Sequence, residues 1–193
     1  MKQVIKWLVL SAAVAVVLTP VPARADGFVS PWIGSAFGSN INNGRGTYGV
    51  TAGGMGAGIV GGEVDFGWNP SFFGNQTIFG NNSVLNLMGN VIVGVPIGGT
   101  YGKGVRPYLV GGGGLIHTQI EGAPLQLNPT AGTNMFGWDL GGGVMGYFNQ
   151  HVGLRGDVRY LRATHDINAG INSIDLNSDR LHFWRTSIGV VFR

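Results

Sequence analysis

The chain has 193 residues, of which only 11% are charged, 36 are glycine and none is cysteine, and its formal net charge is +3. The absence of cysteine excludes a disulfide framework and a thiolate-ligated metal site. The glycines follow no Gly-X-Y period and alternate with aliphatic and aromatic residues, which excludes collagen and argues against a disordered linker.

The N-terminal segment has the features of a secretory signal peptide. Two lysines precede an apolar run at 7–18, which is too short for a membrane-spanning helix, and Ala23 and Ala25 give a small-residue cleavage pattern. We therefore predict a signal peptide at 1–25 and one mature domain at 26–193. The mature chain then has nine basic and nine acidic residues, because three of the 12 basic residues lie in the signal peptide. It contains no basic run, so no nucleic-acid partner is predicted.

Apolar and polar side chains alternate along much of the mature chain. In one segment Trp138 and Leu140 share a face, and Asp139 lies on the other. A period of two predicts β-strands with two different faces. The first, second and fifth segments are rich in glycine, and the pattern does not assign their faces. The eight predicted strands are 29–39, 47–57, 60–69, 84–96, 105–117, 135–148, 151–163 and 182–192.

The connections between these segments alternate in length. Tight or short connections on one side and longer loops on the other are typical of an up-and-down membrane barrel. An even number of strands places both termini on the side of the short turns. The predicted long or medium connections are 40–46, 70–83, 118–134 and 164–181, and the short ones are 58–59, 97–104 and 149–150.

The distribution of aromatic residues favours a membrane barrel over a soluble one. Each clear strand has one apolar face that ends in aromatic residues, and its other face carries few charges. Such a strand suits a lipid-facing wall around a polar interior. Two aromatic girdles are predicted. One consists of Tyr48, Trp68, Trp138, Tyr160 and Trp184, and the other of Trp32, Tyr108, Phe148 and Phe192.

Five motifs, in order VGGEVDFGW, NVIVGVPIGG, VRPYLVGGGGL, VGLRGDVRYLR and FWRTSIGVVF, resemble the eight-stranded outer-membrane β-barrel superfamily. This group includes the OmpA transmembrane domain, OmpX and the opacity-type proteins. The resemblance implies an all-β, eight-stranded antiparallel up-and-down transmembrane barrel. It implies Sec-dependent export to the outer membrane of a Gram-negative-type bacterium. Family members usually end in an aromatic residue that the barrel assembly machinery reads, whereas here Phe192 is followed by Arg193.

The tripeptide Arg155-Gly156-Asp157 matches a cell-adhesion motif, but it lies in a predicted strand. Its two charged residues share a face, which the barrel interpretation turns inward. An eight-stranded barrel has an interior just wide enough for side chains, so buried charges must be paired there. We predict an ion-pair network that fills the lumen. Its members are Glu63, Asp65, Asp139, Arg155, Asp157, Arg159 and Arg185.

No enzyme, cofactor or metal site is predicted. The glycine-rich segments lack the following helix of a phosphate loop, and the histidines lack zinc-ligand spacing. Ser187, His182 and Glu63 are the residue types of a lipid A deacylase, but no spacing favours them. The leading hypothesis is a non-enzymatic barrel that presents loops. The alternatives are a narrow channel for small or apolar solutes and, third, a lipid A-modifying enzyme. The expected partners are outer-membrane lipid and lipopolysaccharide, the barrel assembly machinery through the last strand, and an extracellular protein or glycan at the loops.

Overall fold

The chain forms a closed barrel of eight antiparallel strands that pair in chain order. The computed structural model describes residues 25–38, 41–70, 81–99, 102–121, 130–166 and 181–193. Among these residues there is no helix long and apolar enough to span a membrane. The predicted fold class is confirmed. The strands are β1 (Ala25–Gly38), β2 (Ile41–Gly56), β3 (Val60–Pro70), β4 (Asn81–Gly94), β5 (Gly104–Glu121), β6 (Thr130–Tyr147), β7 (Val152–Asp166) and β8 (His182–Phe192).

The barrel closes where β1 pairs with β8. Val29 lies opposite Phe192 and Phe37 opposite Trp184 along this antiparallel ladder. Since every strand has two paired neighbours, no strand edge is left open, which is the condition for a sheet in a membrane. The predicted signal peptide lies outside the described residues, except that Ala25 is the first residue of β1.

The predicted medium loop at 40–46 is wrong. β2 begins at Ile41, which lies opposite Gly38, and Arg45 lies opposite Ala36. Likewise β5 extends to 121 and β6 starts at 130, so strand pairing continues into the predicted loop at 118–134. The polar residues in these two segments are typical of loops. Ladder hydrogen bonds join backbone groups, however, so polar side chains do not stop a hairpin that extends beyond the apolar band.

Short turns lie at the end of the barrel where β1 starts and β8 ends. The turn from β2 to β3 is closed by a hydrogen bond from the Ile59 amide to the Gly56 carbonyl at 3.0 Å. Ala57 and Gly58 have φ angles of 50° and 68°, as the central residues of a type I′ hairpin turn require. We call this end the terminal side. The opposite end, the loop side, carries connections 71–80, 122–129 and 167–180, which lie outside the described residues.

Inward-facing glycines make room for large side chains in this narrow barrel. A Cβ atom added to Gly143 would lie 2.5 Å from the hydroxyl oxygen of Tyr108. One added to Gly141 would lie 2.8 Å from Cγ of Arg159. The high glycine content therefore has a packing reason, because eight strands enclose only enough space for side chains to fill.

Two groups of buried apolar side chains occupy the interior, one towards each end of the barrel. Most of the members of both groups come from the lumen-facing positions of several strands, so each group crosses the barrel. The loop-side apolar cluster consists of Ala36, Val84, Met88, Ile116, Met135, Leu161, Ala163, Leu181 and Phe183. The terminal-side apolar cluster consists of Phe28, Met55, Ile92, Tyr108, Val110, Met145, Tyr147 and Val191.

Candidate functional site

Five charged side chains from β3, β6 and β7 meet inside the barrel, and we call them the central cluster: Glu63, Asp139, Arg155, Asp157 and Arg159. The Glu63 carboxylate accepts from Nη2 of Arg155 at 2.9 Å and from Nη2 of Arg159 at 2.6 Å. Arg159 also lies 2.6 Å from Asp157 and 3.3 Å from Asp139. One guanidinium thus contacts three carboxylates, because its planar fork presents five donors in fixed directions.

The Arg155-Gly156-Asp157 tripeptide lies within β7, and its two charged side chains face the interior. Arg155 is 3% exposed and Asp157 is 6% exposed. Their side chains are 3.3 Å apart and belong to the central cluster. The tripeptide is therefore not presented to a protein partner from a loop.

Asp65 and Arg185 form a second ion pair, on β3 and β8. Their side chains are 2.7 Å apart and are essentially unexposed. Asp65 also accepts hydrogen bonds from Thr51 at 2.8 Å and from Asn86 at 3.3 Å. The guanidinium of Arg185 lies 4.3 Å from the ring centroid of Trp32. The structure thus places all seven residues of the predicted network in the interior, five in one cluster and two in a separate pair.

A third ion-paired group at the terminal side was missed in the sequence. The Asp26 carboxylate lies 3.5 Å from Arg106 and 3.5 Å from Arg193. Both arginines stack near the ring of Tyr147, at 5.6 Å and 4.0 Å from its centroid. The amide of Arg193 donates to the carbonyl of His151 at 2.8 Å. The residue that follows the terminal aromatic therefore has defined contacts at the end of the barrel.

Two aromatic residues assigned to the girdle face the lumen instead, so those two predictions are wrong. Trp32 is 5% exposed, and its indole N–H donates to the Thr51 hydroxyl at 3.2 Å. Tyr108 is 4% exposed. Its hydroxyl donates to Asp157 at 2.5 Å and accepts from Nε of Arg155 at 2.7 Å. Both rings are amphipathic, so a polar interior satisfies their N–H and O–H groups as lipid could not.

The other seven girdle residues lie on the outer surface of the barrel. At the loop side, Tyr160 packs against Trp138 and Trp184, with ring centroids 5.6 Å and 5.2 Å apart. Tyr48 and Trp68 form a second outward pair at 6.4 Å. Aromatic packing thus links β7 to both of its neighbours, and β2 to β3, on the outer wall. The remaining two outward residues, Phe148 and Phe192, lie at the terminal side.

Uncharged polar residues of the lumen were also missed by sequence reasoning. Asn90 donates to Asp139 at 3.1 Å, and Asn86 and Thr51 both donate to Asp65. Asn86 and Asn90 alternate with outward residues of β4, so the period of two held the signal that they share a face. The predicted ion-pair network contains only charged residues, so it does not include these amides.

The residues considered for a lipid A deacylase do not share one face of the wall. Glu63 belongs to the central cluster inside the barrel. His182 lies on the outer wall, where its ring is 6.1 Å from that of Tyr160. A nucleophile, a base and an orienting acid must lie within hydrogen-bond reach, and these two side chains are on opposite sides of the wall.

Comparisons with known proteins agree with this architecture. Neisserial surface protein A aligns with a TM-score of 0.62 and 15% identity, covering 87% of this chain and 97% of that one. A major outer membrane protein of Thermus thermophilus gives 0.52 and 13%, covering 86% and 99%. Ail of Yersinia pestis, the attachment invasion locus protein in complex with the heparin analogue sucrose octasulfate, gives 0.50 and 12%, covering 86% and 99%.

A search of curated proteins gave no significant match. At 15% identity or less, the structural similarities establish the fold alone. The family model for the outer membrane protein beta-barrel domain matches residues 10–192, which is nearly the whole chain. The protein therefore belongs to the outer membrane protein beta-barrel family.

Proposed function

We propose that this protein is a non-enzymatic outer-membrane barrel whose filled, ion-paired lumen makes it a rigid support for extracellular loops. The observation that carries the proposal is the order of side chains through the interior. Along β6, Met135 of the loop-side apolar cluster, Asp139 of the central cluster and Met145 of the terminal-side apolar cluster follow one another, and all three are buried. Along this strand the charged layer therefore has an apolar layer on each side of it.

The charge balance of the interior supports the same proposal. Counted together, the central cluster, the pair of Asp65 with Arg185, and the group of Asp26 with Arg106 and Arg193 contain five arginines and five carboxylates. Buried charges of this kind stabilise a structure only when they are paired and hydrogen-bonded. The central cluster has one carboxylate in excess and the terminal-side group has one arginine in excess, so the three groups are neutral only in sum, and together they give little net field to attract ions.

The loop-side connections then make the surface interactions, since loops on a rigid scaffold commonly carry function. Segments 71–80 and 122–129 contain no charged residue, and 167–180 contains two aspartates and one arginine. Asparagine and apolar residues dominate these segments, which suits contact with an extracellular protein or a glycan. Ail was solved with a heparin analogue. Because our three segments hold one basic residue between them, we do not propose a polyanion as the ligand here.

The exposure of the loops is testable because the chain has no cysteine. We expect Asn75→Cys and Ser173→Cys, in two loop-side segments, to react with a membrane-impermeant maleimide on intact cells. Gln150→Cys, in the short turn after β6, is the matched control and should react only after the outer membrane is permeabilised. If only the control were labelled on intact cells, the short turns would face the outside, and the proposal would be overturned.

The supporting role of the barrel is tested by replacing 71–80 or 167–180 with short Gly-Ser linkers. The shortened barrels should fold and unfold as the parent does, because the lumen contacts described above involve neither segment. Adhesion of cells that produce the shortened proteins to a surface of extracellular protein or glycan should fall. If shortening instead unfolds the barrel and leaves adhesion unchanged, the loops are structural and the proposal is wrong.

A further inference from the structure

The outer wall of the barrel is almost free of charge. Among the strand residues whose side chains the structure describes, Arg162 is the only Asp, Glu, Lys or Arg that faces outward. The inward neighbours of Arg162 on β7, Leu161 and Ala163, are both buried in the loop-side apolar cluster. Arg162 forms no ion pair with any carboxylate whose side chain the structure describes. A single outward arginine on an apolar wall needs a physical reason.

The position of Arg162 relative to the aromatic residues supplies one. β7 runs from the terminal side to the loop side. Val158, Tyr160 and Arg162 therefore lie one after another along the outer face, from the middle of the wall towards the loop side. The ring of Tyr160 packs between Trp138 and Trp184. Trp and Tyr are enriched where the hydrocarbon meets the headgroups. Arg162 therefore lies at headgroup height, next to an aromatic platform of Trp138, Tyr160 and Trp184.

The cross-strand neighbours complete the surroundings of Arg162. Trp138 of β6 is its partner on one side and His182 of β8 on the other. At the midplane an outward arginine costs about 2–4 kcal/mol, and close to the interface this falls to about 0–1 kcal/mol. A guanidinium in that position presents a fork of donors whose geometry matches a phosphate group. The ring of Trp138 beside it, and those of Tyr160 and Trp184 one position nearer the middle of the wall, offer flat apolar surface.

We propose that Arg162, together with the aromatic platform, binds the phosphorylated headgroup of an outer-leaflet lipopolysaccharide. The guanidinium binds a phosphate of the lipid, and the acyl chains below that phosphate lie against Tyr160 and the two tryptophans. The occupant follows from charge complementarity, since the residue is a lone cation at the height of the lipid phosphates. The proposal depends on the outer-membrane location and is independent of whether the lumen is filled.

Binding is measured with the refolded mature protein in maltoside micelles, which contain no phosphate. Tryptophan fluorescence reports on the site, because Trp138 and Trp184 belong to it. Diphosphoryl lipid A is the probe. We expect Arg162→Gln to bind it roughly tenfold or more weakly than the parent, as loss of a charge-assisted hydrogen bond predicts. Arg162→Lys should be intermediate, because it keeps the charge and loses the fork. Lys103→Gln, an exposed charge loss on the terminal side, should bind as the parent does.

Three results would overturn the inference. Arg162→Gln could bind diphosphoryl lipid A as tightly as the parent does. Chemically dephosphorylated lipid A could bind the parent as tightly as the phosphorylated probe. Inorganic phosphate could compete as well as the lipid does, which would make this a site for free phosphate. Circular dichroism and heat-dependent gel mobility of each variant show that the barrel is folded. A conducting lumen with intact lipid A binding would refute the proposed function alone.

Discussion

The ion pair of Asp65 with Arg185 gives the sharpest test of the lumen energetics. Among the described residues, Asp65 is the only carboxylate within ion-pair distance of Arg185, and both side chains are essentially unexposed. Asp65→Asn keeps the shape and still accepts from Thr51 through the remaining carbonyl oxygen. The new amide N–H group replaces the oxygen that now accepts from Arg185 and Asn86. The new N–H group then faces the N–H donors of Arg185 and Asn86, and the buried Arg185 has lost its counter-charge.

Breaking one partner of a buried ion pair costs about 3–5 kcal/mol of unfolding free energy. We expect Asp65→Asn to lose that amount in urea unfolding of the refolded barrel in lipid vesicles, followed by tryptophan fluorescence. Thr51→Val is the matched control, because it removes two neighbouring hydrogen bonds, to Asp65 and from Trp32, without changing a charge. It should lose about 1–3 kcal/mol.

The double variant Asp65→Asn with Arg185→Met completes the cycle. It removes both charges and puts an apolar side chain of similar length where the guanidinium was. No buried charge is then left without its partner, so the double variant should lose clearly less than the two single variants together, with a coupling of about 0.5–3 kcal/mol. The reasoning is refuted if Asp65→Asn unfolds within about 1 kcal/mol of the parent, or if the single losses simply add.

Two further predictions concern the central cluster and the glycines. Asp157→Ala should lower the thermal unfolding temperature, because Arg155 and Tyr108 each lose a partner at 3.3 Å and 2.5 Å, and an unchanged temperature would contradict the network. Gly143→Ala should destabilise the barrel by about 1–3 kcal/mol through overpacking, because the new Cβ would meet the Gly156 carbonyl oxygen and the Tyr108 hydroxyl. Gly146→Ala has no atom within 4 Å of its new Cβ and should unfold like the parent, so equal losses in the two glycine variants would contradict the packing argument.

For the strands that carry charges, the sequence predicts both the strand and the face that points inward. In β3, β6, β7 and β8, the alternation of charged and apolar residues sets which side chains point inward, since a one-residue slip would place the inward charges in lipid. In β1 and β5 that constraint is weak. Trp32 and Tyr108 suit either lipid or a polar lumen, and glycines on neighbouring strands decide which side has room for them.

The sequence could predict neither the extent of the hairpins nor the layer of the lumen in which each apolar residue lies. Ladder hydrogen bonds at 41–46 involve no side chain, so composition does not show where β2 begins. The apolar lumen residues, such as Met145 and Phe183, lie on faces that also carry charges. Which layer of the lumen each one fills depends on the stagger between strands, and that stagger is a property of the closed barrel.

Single-channel conductance of the refolded mature protein in planar bilayers tests the central claim, a filled lumen, most directly. Arg155→Ala is measured alongside the parent. The account predicts no steady conductance in the parent, and none in the variant, because both apolar clusters remain in place on either side of the altered layer. Reproducible, discrete openings of the parent would contradict the account, and would make Arg155 and its neighbours residues of a conducting path.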